Sequence, residues 1–168
     1  KGYSFSSHSD TEVIIKAYHY WGEDCVKYFD GMFAFCMWDK SNQKLFIARD
    51  RIGIKPLYYN LSNKAFTFAS NSQALLTQEL DKSVNPIALQ QQLSLHGVVP
   101  APNTVINGIQ KEKPATVITI NTKGLLKEKT YWHPSANRSE RNLSDEDYIE
   151  KAHELLTKAV TKRMAAAD

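Results

Sequence analysis

Three groups of residues have types and spacing that could do chemistry. The first is Ser9-Asp10-Thr11-Glu12. It spells a capping box, with Ser9 facing the amide of residue 12 and Glu12 reaching back, and the helix dipole alone favours an acidic first turn. On these residues alone Asp10 reads as a helix-start carboxylate. The second group is the pair Cys25 and Cys36. A cysteine nucleophile must be a thiolate, but Cys36 sits between Phe35 and Met37 and Cys25 falls on an apolar helix face, so both thiols read as buried, inert and structural. The third is Arg49-Asp50-Arg51 with Lys55, ahead of Pro56-Leu57-Tyr58-Tyr59. Phosphate chemistry would need a glycine-rich cradle or a helix start beside it, and neither is there. The cluster reads as a strand-joining turn braced by Arg–Asp pairs, with shaping of a pocket or a domain interface as the other reading. His8, His19, His96, His133 and His153 lack metal-ligand spacing.

These residues need elements to hold them. Ser9 predicts a helix with Val13, Ala17 and Tyr20 on one face and a stop at Gly22, then a second helix, Glu23 to Phe29, with Cys25, Val26 and Phe29 on one side. Met32 to Trp38 is apolar on both faces and predicts a strand buried on both sides, turning at Lys40-Ser41-Asn42-Gln43 into Lys44 to Ala48. Strands follow at Pro56 to Tyr59 and Ala65 to Ala69, joined by Leu61-Ser62-Asn63-Lys64. Such short connections imply antiparallel pairing, and a doubly buried sheet needs a layer on each face. Asn85-Pro86 starts a helix to about Leu95, and Asn121-Thr122-Lys123-Gly124 turns a hairpin of Ala115 to Ile120 and Leu125 to Tyr131. Polar residues from His133 form a linker. Ser144 then opens a long helix, boxed with Asp147, whose face of Ile149, Ala152, Leu155, Leu156, Ala159 and Val160 calls for a second domain.

The chain of 168 residues has room for one cored domain and an appendage. A net charge of +3 with dispersed Lys and Arg gives nucleic acid or membrane binding no support, and the aromatics lack the basic interleaving of a base-stacking platform. No signal segment or apolar run of membrane length occurs, and two cysteines without Cys-x-x-Cys spacing fit a reducing compartment; the expectation is a cytoplasmic protein. Lys1 and the closing Met164-Ala165-Ala166-Ala167-Asp168 read as cuts through a longer protein.

In order and spacing, Ser9-Asp10-Thr11-Glu12-Val13-Ile14, Gly31-Met32-Phe33-Ala34-Phe35, Ala48 to Tyr59 (Ala-Arg-Asp-Arg-Ile-Gly-Ile-Lys-Pro-Leu-Tyr-Tyr) and Phe68-Ala69-Ser70 resemble the class II glutamine amidotransferase domain of asparagine synthetases, over about Gly2 to Tyr131. The last helix resembles the one that opens that family's ATP-dependent synthetase domain. The resemblance implies an α+β, N-terminal-nucleophile fold: a four-layer αββα sandwich of antiparallel sheets, here truncated at the N-terminus. Residues 1–132 would be the amidotransferase domain, 133–143 a linker and 144–168 the first helix of the synthetase domain. Asn71, where the family carries Glu, Ala115, where it carries Gly, and His96-Gly97-Val98-Val99-Pro100-Ala101-Pro102 look more like the enzymes that amidate N-acetylglutaminylglutamine.

The resemblance also implies the chemistry. An N-terminal Cys attacks the glutamine amide, an Asn side chain and a Gly amide form the oxyanion hole, and an Arg grips the α-carboxylate. In the family pattern all four lie upstream of Lys1, so no catalytic residue is expected in this chain, and the piece alone is expected to be inactive. Asp10 matches the family residue that accepts hydrogen bonds from the glutamine α-ammonium, which turns its reading from capping to substrate binding. The implied whole protein hydrolyses glutamine and passes ammonia to an adenylated carboxylate, N-acetylglutaminylglutamine or aspartate, using ATP and magnesium held by the synthetase domain and not by residues 1–168. An open sheet edge makes a homodimer the expected self-association. The rival readings are a non-catalytic binding or assembly module on the same sandwich, and another N-terminal-nucleophile hydrolase such as a peptidase. The second would not need the helix at 144–167.

Overall fold

The structure, a computed structural model, describes residues 2–62, 65–135 and 144–164. Asn63 and Lys64 of the expected turn, residues 136–143 of the expected linker and 165–168 of the final helix lie outside the described residues. The chain divides into two compact units, Lys1–His133 and Pro134–Asp168.

The first unit begins with helix α1 (Asp10–Trp21), ended by Gly22 at φ 60°, a left-handed value that suits glycine. A 3-10 segment follows, Gly22–Tyr28. Strands β1 (Ala34–Asp39) and β2 (Lys44–Arg49) pair with β6 (Thr116–Asn121) and β7 (Leu126–Thr130) in an antiparallel sheet of order β1-β2-β6-β7. A second sheet has the order β4-β3-β5, from β3 (Tyr58–Leu61), β4 (Phe66–Ala69) and β5 (Gln110–Lys111). Helices α2 (Ser72–Leu75) and α3 (Pro86–Ser94) connect β4 to β5, with Asn71 and Asn85 as their N-caps.

Period-2 alternation sorts β2 and β6 between two cores. Phe46, Ala48 and Val117 pack against Ala17, Tyr18, Trp21, Cys25 and Val26 of the helical layer. Ile47, Ile118 and Ile120 point the other way, onto Leu57 just before β3 and onto Tyr59 and Phe66 of the second sheet. The strands buried on both faces are therefore β2 and β6, the inner pair. The expected double burial of Met32 to Trp38 holds only in part: Phe35 and Met37 pack against the first core and Ala34 and Cys36 against the second, but each is only half-buried. β1 lies at the margin of its sheet, and Trp38 is 45% exposed.

α1 also turns differently from its apolar stripe. Val13 is 45% exposed, and the sheet side is formed by Ala17, Tyr18 and Trp21. Tyr18 Oη donates to Asp39 Oδ2 at 2.9 Å, which pins the helix to the end of β1. The β6–β7 hairpin follows its turn chemistry: Asn121 Oδ1 accepts from Lys123 N and Leu125 N, and Gly124 has φ 75°. In the second unit, α4 (Asp145–Met164) opens with the expected box, Asp147 N donating to Ser144 Oγ and Ser144 N to Asp147 Oδ2. Its Ile149, Leu155, Leu156 and Val160 are exposed.

Between the sheets lies the turn from Arg49 to Lys55. Asp50 is 1% exposed, and its carboxylate accepts four backbone N–H groups: Phe33 and Lys55 on Oδ2, Ile52 and Ile54 on Oδ1, at 3.0–3.2 Å. Arg49, also buried, donates to three backbone carbonyls, Lys55 at 2.8 Å, Gly53 at 2.6 Å and Glu112. The turn is braced, but the expected Arg–Asp pairing is replaced by bonds from each side chain to the backbone. Gly53 has φ 71°, and a Cβ there would lie 3.0 Å from both Arg49 Cζ and Pro114 Cγ. Burial would raise the Asp50 pKa, but the N–H groups of Lys55, Ile54, Ile52 and Gly53 outweigh it and hold the carboxyl below its usual value.

In Asp50→Asn, one amide group would confront two N–H donors. We expect a loss of at least about 3 kcal/mol, read by urea denaturation at pH 7, since bonds to a charged acceptor contribute about 1.5–3 kcal/mol each. A loss under 1 kcal/mol would mean that the turn is held from elsewhere.

Glu112, just after β5, has the opposite problem. It is 2% exposed; Oε1 accepts from Lys113 N at 3.0 Å and Oε2 has no partner among the described residues. Burial first, and Glu128 second, push its pKa up to about 7. A carboxyl raised on folding contributes stability that is complete below its unfolded value of 4.5 and lost as pH rises through 7. Stability is therefore expected to fall between pH 5 and 7.5 by up to about 3 kcal/mol, and Glu112→Gln is expected to flatten that slope. An identical slope in the variant would assign the pH dependence to other groups.

Candidate functional site

Ser9 adopts extended backbone, φ −82° and ψ 133°, and its Oγ accepts from Thr11 N at 3.2 Å. Ser9 is thus the N-cap, and Asp10 is the first residue inside the helix. Glu12 does not reach back to Ser9 N as the box predicts. Its carboxylate turns to the preceding segment and accepts from Ser6 N at 2.9 Å, Ser7 N at 2.7 Å, Ser6 Oγ at 3.1 Å and Ser7 Oγ at 2.5 Å, while Lys16 closes the other side. The Lys16 bond first, then those from Ser7 and Ser6, hold its pKa far below the usual carboxylate range.

Residues 3–7 fold back along α1. Tyr3 Oη bonds His19 Nδ1, Lys16 Nζ donates to Ser4 O, and the same ammonium lies 4.5 Å from the centroid of the Phe5 ring. At the bend stands Asp10, its side chain exposed and without a hydrogen bond or ion pair among the described residues. Capping belongs to Ser9 and loop anchoring to Glu12. The Asp10 carboxylate is left pointing out of the fold, with both oxygens available to a cation.

The other candidates go elsewhere. Cys25 is buried in the first core and Cys36, half-buried, packs against the second, and burial pushes each thiol up to about 11. Neither is a thiolate near neutral pH, as expected of structural thiols. Arg49 and Asp50 belong to the turn between the sheets. Arg51 donates to Lys27 O at 3.0 Å and lies over the Trp132 ring, so it ties that turn to the 3-10 segment. His8, His96 and His133 are not gathered: among the described residues no group of three or more His, Cys, Asp or Glu side chains could hold a metal ion. A groove of about 400 Å³ between the 3-10 segment and β6–β7 is lined by Glu23, Lys44, Thr119, Lys127 and Lys129 and does not include Asp10. Its charges pair, Lys44 with Glu23 at 2.6 Å.

Two residues noted for their type have local work. Asn71 Oδ1 accepts from Gln73 N at 2.9 Å and starts α2. Ala115 has φ 54°, a conformation that glycine adopts without strain. Sequence reasoning missed the clamp made by Glu12. Its signal was the pair of hydroxyl residues, Ser6-Ser7, two positions before the cap.

A family model described as glutamine amidotransferase domain matches residues 1–132. Asparagine synthetase [glutamine-hydrolyzing] 1 of Bacillus subtilis (strain 168) is 39% identical over 132 residues, 79% of this chain and 21% of the relative. Asparagine synthetase [glutamine-hydrolyzing] 3 of the same organism is 33% identical over 169 residues, 99% of this chain and 27% of the relative. The chain thus spans about a fifth to a quarter of the length of these curated relatives. Among solved structures, the glutamine phosphoribosylpyrophosphate amidotransferase from B. subtilis, complexed with ADP and GMP, superposes with a TM-score of 0.51 at 18% identity, covering 81% of this chain and 25% of that one.

The burial of both thiols has a direct consequence. Under native conditions Cys25 and Cys36 are expected to react with a thiol reagent far more slowly than in urea, and the 168-residue chain is expected to release no ammonia from glutamine. Ammonia release abolished by Cys25→Ser or Cys36→Ser would overturn the structural assignment of that thiol.

Proposed function

The chain belongs to the glutamine amidotransferase domain family, as the class II domain of the asparagine synthetase type with the N-terminal-nucleophile α+β fold, and from that premise we propose that Asp10 binds the α-ammonium of glutamine for a whole protein that uses glutamine as its nitrogen donor. The observation that carries the assignment is the free, exposed carboxylate of Asp10 between two residues, Ser9 and Glu12, that do the structural work. A cation at a helix N-terminus meets the positive end of the dipole, about half a unit charge. A full negative charge at that position reverses the local field, and it distinguishes free glutamine from a glutamine within a peptide, which has no ammonium.

In this reading the whole protein opens the glutamine amide with an N-terminal cysteine thiolate. The ammonia amidates a carboxylate activated with ATP and magnesium, N-acetylglutaminylglutamine in preference to aspartate, as Asn71, Ala115 and the His96 to Pro102 stretch suggest. In this reading ATP and magnesium are held by the activating domain and not by residues 1–168. The second unit fits the opening helix of the activating domain, since Leu155 and Leu156 are exposed on it. Partners in this reading are glutamine, the carboxylate acceptor and a second copy of the chain. No helix among the described residues is long and apolar enough to cross a membrane.

The test is Asp10→Ala in the protein expressed at its natural length. A charge-assisted contact contributes about 1.5–3 kcal/mol, so glutamine-dependent kcat/KM is expected to fall roughly 10- to 150-fold, with synthesis from free ammonia nearly unchanged. Ser9 remains as cap, so the melting temperature should shift little. Equal losses with both nitrogen sources would place Asp10 in the fold or the domain interface. Unchanged kinetics would favour the binding-module reading.

A further inference from the structure

We propose that Glu12 is a positioning residue for glutamine capture, holding residues 4–9 in the bend that presents Asp10; the inference rests on the Asp10 reading above. Four donors of the bend converge on one side chain: the amides of Ser6 and Ser7 and both of their hydroxyls. Lys16, one turn further along α1, neutralises the carboxylate and donates to Ser4 O, so the same ion pair grips the segment at two levels. A neutral side chain could not satisfy this set. Two oxygens with a full charge can accept all of the donors, whereas an amide presents one acceptor and two N–H groups against them.

The geometry also explains why Glu12 acts through Asp10 and not on the ligand. Its oxygens are occupied by protein donors, and its charge is compensated by Lys16. Asp10, two residues earlier, has neither kind of partner among the described residues. If the clamp opens, Ser6 and Ser7 lose their anchor and the entry to α1 gains freedom. The helix itself keeps its Ser9 cap and its packing through Ala17, Tyr18 and Trp21. The cost should therefore fall on the capture of glutamine and leave the chemical step and the fold largely alone.

The test is a double-mutant cycle on the protein at its natural length, with glutamine and free ammonia as alternative nitrogen sources. Glu12→Gln is expected to raise the KM for glutamine on the order of 5- to 10-fold, with kcat within about 2-fold and ammonia-driven synthesis unchanged. Glu12→Asp, which keeps the charge, is expected to recover part of that loss. In the Asp10→Ala background, Glu12→Gln is expected to add less than about 2-fold, since a positioning residue has nothing left to position.

A full additional 5- to 10-fold in that background would overturn the proposal, because Glu12 would then act independently of Asp10. So would an unchanged glutamine KM in Glu12→Gln beside a large Asp10→Ala defect, an outcome that leaves the Asp10 reading standing. A raised KM in Glu12→Gln beside a normal Asp10→Ala enzyme overturns both. Should Glu12→Gln fail to fold, Ser6→Ala/Ser7→Ala, which removes the two hydroxyl donors and keeps the carboxylate, takes its place in the cycle, with about a 3-fold rise in KM expected and no rise overturning the proposal.

Discussion

The Asp50 carboxylate, buried and held by four main-chain amides, is the constraint on which the other parts of the first unit rest. An unpaired ion in a protein interior costs several kcal/mol, and an adjacent opposite charge offsets this only when the remaining polar atoms are satisfied. Here Asp50 and Arg49 are neighbours in sequence but are solvated by different sets of peptide dipoles. The amides point at the carboxylate and the carbonyls of Gly53, Lys55 and Glu112 at the guanidinium. Because those peptides belong to the residue before β1, the turn after β2 and the segment after β5, satisfying two side chains brings both sheets to one place.

From that seam the order passes outward. Asp50 N donates to Phe33 O while Phe33 N donates to Asp50, a reciprocal pair that sets where β1 begins. Arg51 carries the same turn to Lys27 in the 3-10 segment, and Tyr131 Oη donates to Arg49 O from the end of β7. α1 rests on the 3-10 segment and on the Tyr18–Asp39 bond. The direction in which Asp10 leaves the fold is thus inherited from contacts made far along the chain, although the residue itself touches none of them.

This chain of dependence explains what could be read from the sequence. The β6–β7 hairpin, α3 and the start of α4 were legible because each is decided within a few residues, by Asn121 and Gly124, by Asn85-Pro86 and by the Ser144–Asp147 box. The four short motifs carried the family, and with it the stacked sheets. The face of α1 was not legible. Val13, Ala17 and Tyr20 form a valid stripe, but Tyr20 is drawn aside by Tyr3, and Ala17, Tyr18 and Trp21 meet the sheet. Glu112 was hidden for a similar reason. Between Lys111 and Lys113 it looks like a surface residue, yet in the fold it is 2% exposed. Tertiary context overrides local pattern at these positions, as it does at β1, whose apolar run gave no hint of its place at the margin.

At the candidate site the sequence showed the right four residues with the wrong division of labour. A capping box would have used Ser9 and Glu12 on each other and left Asp10 as one more helix-start acid. Instead the cap is complete with Ser9 alone, which frees Glu12 to anchor the bend, and Lys16 cancels the Glu12 charge four residues on. Within the segment from residue 2 to residue 12, Asp10 is therefore the carboxylate whose charge no ion pair compensates among the described residues. Had Glu12 been equally free, two negative charges would face the ligand, and a glutamine carries a carboxylate as well as an ammonium. In the reading proposed for Asp10, taking one charge out of play with Lys16 would leave a site that attracts the ammonium with less repulsion of the carboxylate beside it, a balance suited to a zwitterionic amino acid.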